Sequence, residues 1–212
     1  MSIIFKKIAL IIIILSPGIL LQVLYFSDYL NFIRFFLEAN ILFYLPLTLT
    51  TKIMGVIYPP FPGTLMTFSA VPLIGWETAY FIDILGSFIG ASTSFFLGKK
   101  YGYKLMLIFL GDRLVDKIKK IRLKKHNQIE ASIILRFASI GILSDGIVWG
   151  ASTWGFRYAT FIIGYMIAHL VTTLPLFILL GLSVSFSSWV VTITIGIIAW
   201  GLLYQLKGRY FE

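Results

Sequence analysis

Residues 76–98 read WETAYFIDILGSFIGASTSFFLG, and this stretch decides the fold. It is long and apolar enough to cross a bilayer, which takes about 20 residues of α-helix. One carboxylate, Asp83, interrupts it, and small residues recur at every fourth position: Gly86, Gly90, Ser94 and Gly98. On a helix these four form one stripe, the kind of surface that lets a second helix approach closely inside a membrane. Asp83 lies three residues before Gly86 and so shares that face. The carboxylate is expected to point into protein and not into lipid.

The rest of the chain is of the same kind. Of its 212 residues 58% are hydrophobic and only 13% charged, whereas a soluble domain carries about a quarter charged residues. The apolar residues come in long blocks, so the chain reads as one membrane domain with no soluble part. The net charge of +9 is concentrated. Ten basic residues lie between Lys99 and Lys125 against Asp112 and Asp116, which puts +8 there and +1 elsewhere. Such a stretch reads as a cytoplasmic loop under the positive-inside rule. Within it Leu114, Ile118 and Ile121 recur at helical spacing with lysines opposite, which suits a helix lying on anionic lipid headgroups.

Several function classes are excluded. No aromatic platform or recognition motif accompanies the basic residues, so nucleic acid is not an expected partner. Cysteine is absent, which removes thiol chemistry and disulfides. His126 and His169 have no metal-like spacing, and neither a metal nor another cofactor is expected. No Ser/His/Asp set, His-Glu metal motif or catalytic carboxylate pair appears, so the chain is not expected to be an enzyme.

Further spans follow on either side. Ile8–Phe26 is a first span behind Lys6 and Lys7, which place the N-terminus inside, and residues 27–39 read as an outer interfacial segment. An apolar run from Ile41 is interrupted by Lys52, expected to snorkel, and then by PPFPG at 59–63. Proline breaks helices, and broken backbone at membrane depth survives only inside protein or along a cavity. Residues 40–73 therefore read as a re-entrant hairpin turning at Phe61, Pro62 and Gly63. Residues 131–150 are apolar except for Arg136 and Asp145. A straight helix would hold these charges roughly 13 Å apart on opposite faces. A break near Gly141 lets them meet or line one cavity, giving a second hairpin. Spans at 156–180 and 189–206 complete the chain, and Lys207 and Arg209 place the C-terminus inside.

The expected fold is an all-α polytopic membrane protein with four full transmembrane helices and two re-entrant hairpins entering from opposite faces. It divides into residues 1–39, a core of 40–181 containing the basic loop 99–125, and a last helix and tail over 182–212. The halves echo each other, GWETAYF at 75–81 against GFRYATF at 155–161, and the later one has its own stripe at Thr160, Gly164, Ala168 and Thr172. Oppositely oriented repeats with broken helices are how many transporters build a substrate site. Either stripe could serve a contact within the chain or a homo-oligomer.

Two blocks carry a family resemblance. One is FPG at 61–63 followed, after a small-residue turn to Gly75, by GSFIGASTSFFLGKKYG at 86–102; the other is Arg136-Phe137, then a polar stretch to Gly150 and a phenylalanine-containing helix. Over about residues 40–181 the chain resembles the DedA/VTT (SNARE-associated Golgi protein) superfamily. The resemblance implies an integral membrane lipid transporter, flippase- or scramblase-like, moving phospholipid or a polyprenyl-phosphate lipid. With no ATP motif, transport would be passive or ion-coupled. It also implies a cell-membrane location, read here as the plasma membrane of a prokaryote. A non-transporting scaffold or assembly factor is the alternative. Many acid-containing members have a carboxylate where this chain has Thr64, another where it has Ala91, a second arginine where it has Ile142, and prolines where it has Ser139 and Ile142. The pattern is closer to the Tvp/VTT-like branch, and proton coupling of the DedA type does not carry over.

The residues singled out keep two readings each. Arg136 either anchors backbone carbonyls at the hairpin or contacts a phosphate headgroup bidentately. Asp145 either neutralises Arg136 or gates a polar headgroup. Asp83 is either a protonation site or a hydrogen-bonding group between helices. His169 reads as a satisfied intramembrane hydrogen bonder before it reads as a proton relay.

Overall fold

The fold is taken from a computed structural model, which describes residues 40–58, 61, 63–120, 122–124, 127–138, 142–182 and scattered positions between 191 and 211. The first span, the interfacial segment 27–39, Pro62, Gly141 and most of 189–206 lie outside the described residues, as does the side chain of Asp145.

Among the described residues every element is a helix: α1 Ile41–Ile57, α2 Gly63–Ile74, α3 Trp76–Leu110, α4 Asp112–Lys119, α5 Gln128–Ala138, α6 Ile142–Ala151 and α7 Tyr158–Gly181. Trp76–Lys104 and Tyr158–Gly181 are long and apolar enough to cross a membrane. The apolar helices α1 and α2 are shorter, at 17 and 12 residues, and α5 and α6 have only 11 and 10. Two apolar stretches thus each hold two short helices, one pair ending at Ile57 and resuming at Gly63, the other ending at Ala138 and resuming at Ile142. The helix that begins at Trp76 does not stop at Gly98. It carries Lys99, Lys100 and Lys104 with it and bends at Gly102, whose φ of 56° suits a residue without a Cβ. Much of the stretch expected as a basic loop is therefore helical, and α4 continues it.

Apolar residues give no hydrophobic drive between helices in lipid, so close packing and polar contacts must hold them together. Small residues supply the closeness. A Cβ at Gly90 would sit 2.7 Å from the Val56 side chain, and one at Gly98 would sit 2.5 Å from the Trp149 carbonyl oxygen. The α3 stripe therefore serves two neighbours, α1 along its first half and α6 at Gly98. On α7, Gly164 lets Ile129 and Ser132 of α5 come equally near.

The contacts fix helix directions. Lys52 meets Asp83 and Gly86 while Val56 meets Gly90 and Ser94, so α1 runs parallel to α3. Gln128 meets Thr160 and Arg136 meets His169, so α5 runs parallel to α7 at nearly the same separation in sequence. Between the two spans the order reverses: Trp76 packs on Gly181, Tyr80 on Phe177, Ser87 on His169 and Phe95 on Phe161. Helices α3 and α7 are antiparallel and touch along their whole shared length.

The broken end of α1 is covered by side chains. Carbonyls in the last turn of a helix have no partner within it, and leaving one buried without a hydrogen bond costs about 1–3 kcal/mol. The Trp149 indole N–H of α6 donates to the Ile57 carbonyl at 3.1 Å, and the Ser94 hydroxyl lies 3.4 Å from that of Val56. Near the same end Leu123 pairs with Phe211 in an isolated antiparallel bridge, and the Tyr210 hydroxyl donates to Glu130 at 2.7 Å. Phe211 also packs near Phe156, which precedes α7. Gly181 and Phe211 therefore lie at opposite ends of α7.

Candidate functional site

Asp83 faces α1 and α7 because it shares the α3 stripe, and none of its surface is exposed. Its two oxygens serve different halves of the molecule. Oδ1 lies 2.6 Å from the Lys52 ammonium of α1 and 3.1 Å from the Thr67 hydroxyl of α2. Oδ2 lies 2.7 Å from His169 Nε2 of α7. The Lys52 ammonium makes a second hydrogen bond to the Thr64 hydroxyl at 2.8 Å.

Lys52 does not snorkel. Its side chain is 2% exposed, and the reason is Gly86. A Cβ at that position would lie 2.5 Å from Lys52 Cγ, so the missing side chain is what admits the lysine stem to the interior. An ammonium that can reach a buried carboxylate at hydrogen-bonding distance has no need of the interface.

On the far side of Asp83, His169 extends the chain. Its Nδ1 lies 3.2 Å from Nη2 of Arg136 on α5. Arginine is only a donor, so Nδ1 accepts and the imidazole proton sits on Nε2, facing Asp83. The Ser87 hydroxyl, 3.0 Å from Nε2, shares that side of the ring. The half-buried Arg136 guanidinium also lies over the Tyr165 ring, 5.0 Å from its centroid, and Tyr165 stacks on His169 with an interplanar angle of 2°. Lys52, Asp83, His169 and Arg136 thus form one continuous polar chain. It passes through four helices where α3 and α7 meet, two turns into α3 and about halfway along α7.

Such a chain is costly unless every member is bonded. Removing ions from water costs several kcal/mol each, and only close, well-oriented partners offset it. The alternation of cation, carboxylate, imidazole and cation provides those partners without burying two like charges in contact.

Other residues singled out above fall elsewhere. Gly90, Ser94 and Gly98 pack helices and do not touch the chain. Gly63 lies against Gly55, closing the α1–α2 turn, and Phe61 sits in that turn. Arg136 meets His169, and the two readings of Asp145, as its neutralising partner or as a gate, fall on a side chain outside the described residues. Lys52 and His169 were the members given least weight, because neither has its partner nearby in sequence.

The VTT domain matches residues 61–182, more than half of the chain. The match takes in Asp83, Arg136 and His169 and leaves Lys52 outside. Neither the curated proteins nor the solved structures contain a significant match.

Proposed function

The chain belongs to the VTT-domain family, and from that premise we propose that it moves lipid headgroups across the bilayer along the polar chain from Arg136 to Lys52. The family is a membrane family with proposed lipid-transport roles. The observation that carries the reading is the line of four polar side chains, three of them buried, that crosses two antiparallel apolar helices within their spans. Charged side chains are rare at such depth and mark substrate or ion paths.

The helix directions support the transporter architecture. In this reading α1–α2 and α5–α6 are re-entrant hairpins entering from opposite faces, each parallel at its start to the span that follows. The antiparallel packing of α3 and α7 is what an inverted repeat requires, with the polar chain reached from α1 on one side and from α5 on the other. Exposed side chains along the spans, among them Phe81, Phe88 and Phe96 of α3 and Ile163 and Ile167 of α7, suit contact with lipid tails. The exposed Lys99, Lys100, Lys104, Lys119, Lys120 and Arg122 suit anionic headgroups at the cytoplasmic surface of a prokaryotic cell membrane. Thr64 and Ala91, in place of acidic residues, favour the Tvp-like branch and transport that is passive or coupled in a different way.

The test is reconstitution into liposomes carrying a headgroup-labelled fluorescent phospholipid in both leaflets. An impermeant reductant bleaches the outer half at once. Continued bleaching of the inner half in protein-containing vesicles, slowed by Arg136→Ala, is the expected result. Identical traces with and without protein would remove the proposal.

A further inference from the structure

We propose that Lys52 is a second headgroup-binding cation, the counterpart of Arg136 in the other half, and that the substrate class is an anionic phospholipid. This rests on the lipid-transport reading of the same site.

The placement of the two cations is the first argument. Each lies in the last two turns of the first short helix of a broken pair, and each reaches the full span that its own helix parallels. Each ends beside the Asp83–His169 contact, one from either side. With Gly75 aligned on Gly155, Lys52 falls opposite Ser132, one helical turn before Arg136. The correspondence is therefore one of place and reach, offset by a single turn.

The second argument is how differently the two are held. Lys52 is buried beside the Asp83 carboxylate, and Arg136 is half-buried beside the His169 imidazole and the Tyr165 ring. Asp83 is the hub that makes an exchange physically reasonable. It holds the Lys52 ammonium, and an arriving phosphate offers that ammonium the same anionic oxygen partner at the same depth. His169 carries the change to Arg136, because it is bonded to both.

The third argument selects the ligand. A guanidinium binds phosphate as a fork and an ammonium binds it as a point charge, so phosphate oxygens suit both ends of the chain. An uncharged lipid gives neither cation a partner. A zwitterionic headgroup brings its own cation into competition with them. An anionic phospholipid satisfies each in turn.

The experiment compares phosphatidylglycerol with uncharged ceramide, both fluorescent, in liposomes containing wild-type protein or the charge-neutral Lys52→Met/Asp83→Asn pair. Removing both charges together avoids a stranded carboxylate. Wild-type protein is expected to move phosphatidylglycerol faster than ceramide, and the double variant to lose about tenfold of that rate, the loss of one strong charge-assisted contact. A second measurement needs no variant. Wild-type protein is irradiated with a phosphatidylglycerol bearing a photoactivatable diazirine in its headgroup and then mapped by mass spectrometry, with labels expected on both 41–57 and 128–138. Lipid movement that ignores headgroup charge, an unchanged rate in the double variant, or label on 128–138 alone overturns the inference and leaves lipid transport standing. Absence of movement for every lipid overturns both.

Discussion

The Lys52 ammonium and the Asp83 carboxylate meet at 2.6 Å with almost no exposed surface, tying the first short helix to the first full span. Their separate and joint removal have very different consequences. Lys52→Met alone leaves Asp83 buried without its cation and is expected to cost about 3–5 kcal/mol. The Lys52→Met/Asp83→Asn double variant strands no charge and should recover most of that loss. Unfolding of the purified protein in detergent, taken as a double-mutant cycle, measures the coupling. Additive losses would mean that the two groups do not stabilise each other.

Gly86 makes the pair possible, and filling it should show this. Gly86→Ala places a methyl group 2.5 Å from Lys52 Cγ, so the lysine stem or α1 must shift. Overpacking of this kind costs about 1–3 kcal/mol. Gly201→Ala is the matched control, because no described residue lies within 4 Å of a Cβ there, and it should stay within about 0.5 kcal/mol of wild type. Melting temperatures of the two variants side by side decide the matter.

His169 joins the halves through two nitrogens with opposite roles. His169→Leu removes the acceptor for Arg136 and the donor to Asp83 at once. Stranding buried polar groups costs about 1–3 kcal/mol each, and the bleaching rate in liposomes should fall with the stability. His169→Gln, which keeps one hydrogen-bonding amide, should fall between wild type and the leucine variant. A glutamine variant worse than leucine would show that shape and not bonding matters at this position.

The bridge between Leu123 and Phe211 can be trapped covalently. Residues facing each other in an antiparallel pair have Cα atoms about 4.5–5.5 Å apart, inside the roughly 4.4–6.8 Å that a disulfide spans. The chain has no cysteine, so Leu123→Cys/Phe211→Cys gives a clean readout. Mild oxidation should abolish thiol labelling of both positions together. Persistent labelling after oxidation would separate the two segments.

The sequence made some of this legible. The inward direction of Asp83 followed from its three-residue offset to Gly86, and the end of the first short helix before 59–63 followed from proline. Lys52 was misread for a definite reason. A cation next to a proline cluster resembles an interfacial residue, and its partner lies on another helix beyond an entire turn-and-return of the chain. His169 is silent in sequence for the same reason, since the imidazole tautomer depends on an arginine and a carboxylate brought together only by folding. Local spacing reveals which face a side chain takes, and the partner on that face is set by helix direction and register.

The contact between Gly86 and Lys52 also constrains how related chains can vary. A lineage that places any side chain at position 86 closes the passage through which the lysine stem enters, and a lineage that loses the lysine leaves a hole beside a stranded carboxylate. Positions 52, 83 and 86 are therefore expected to change together or not at all, so substitutions across relatives would carry the imprint of a charge that no single sequence displays.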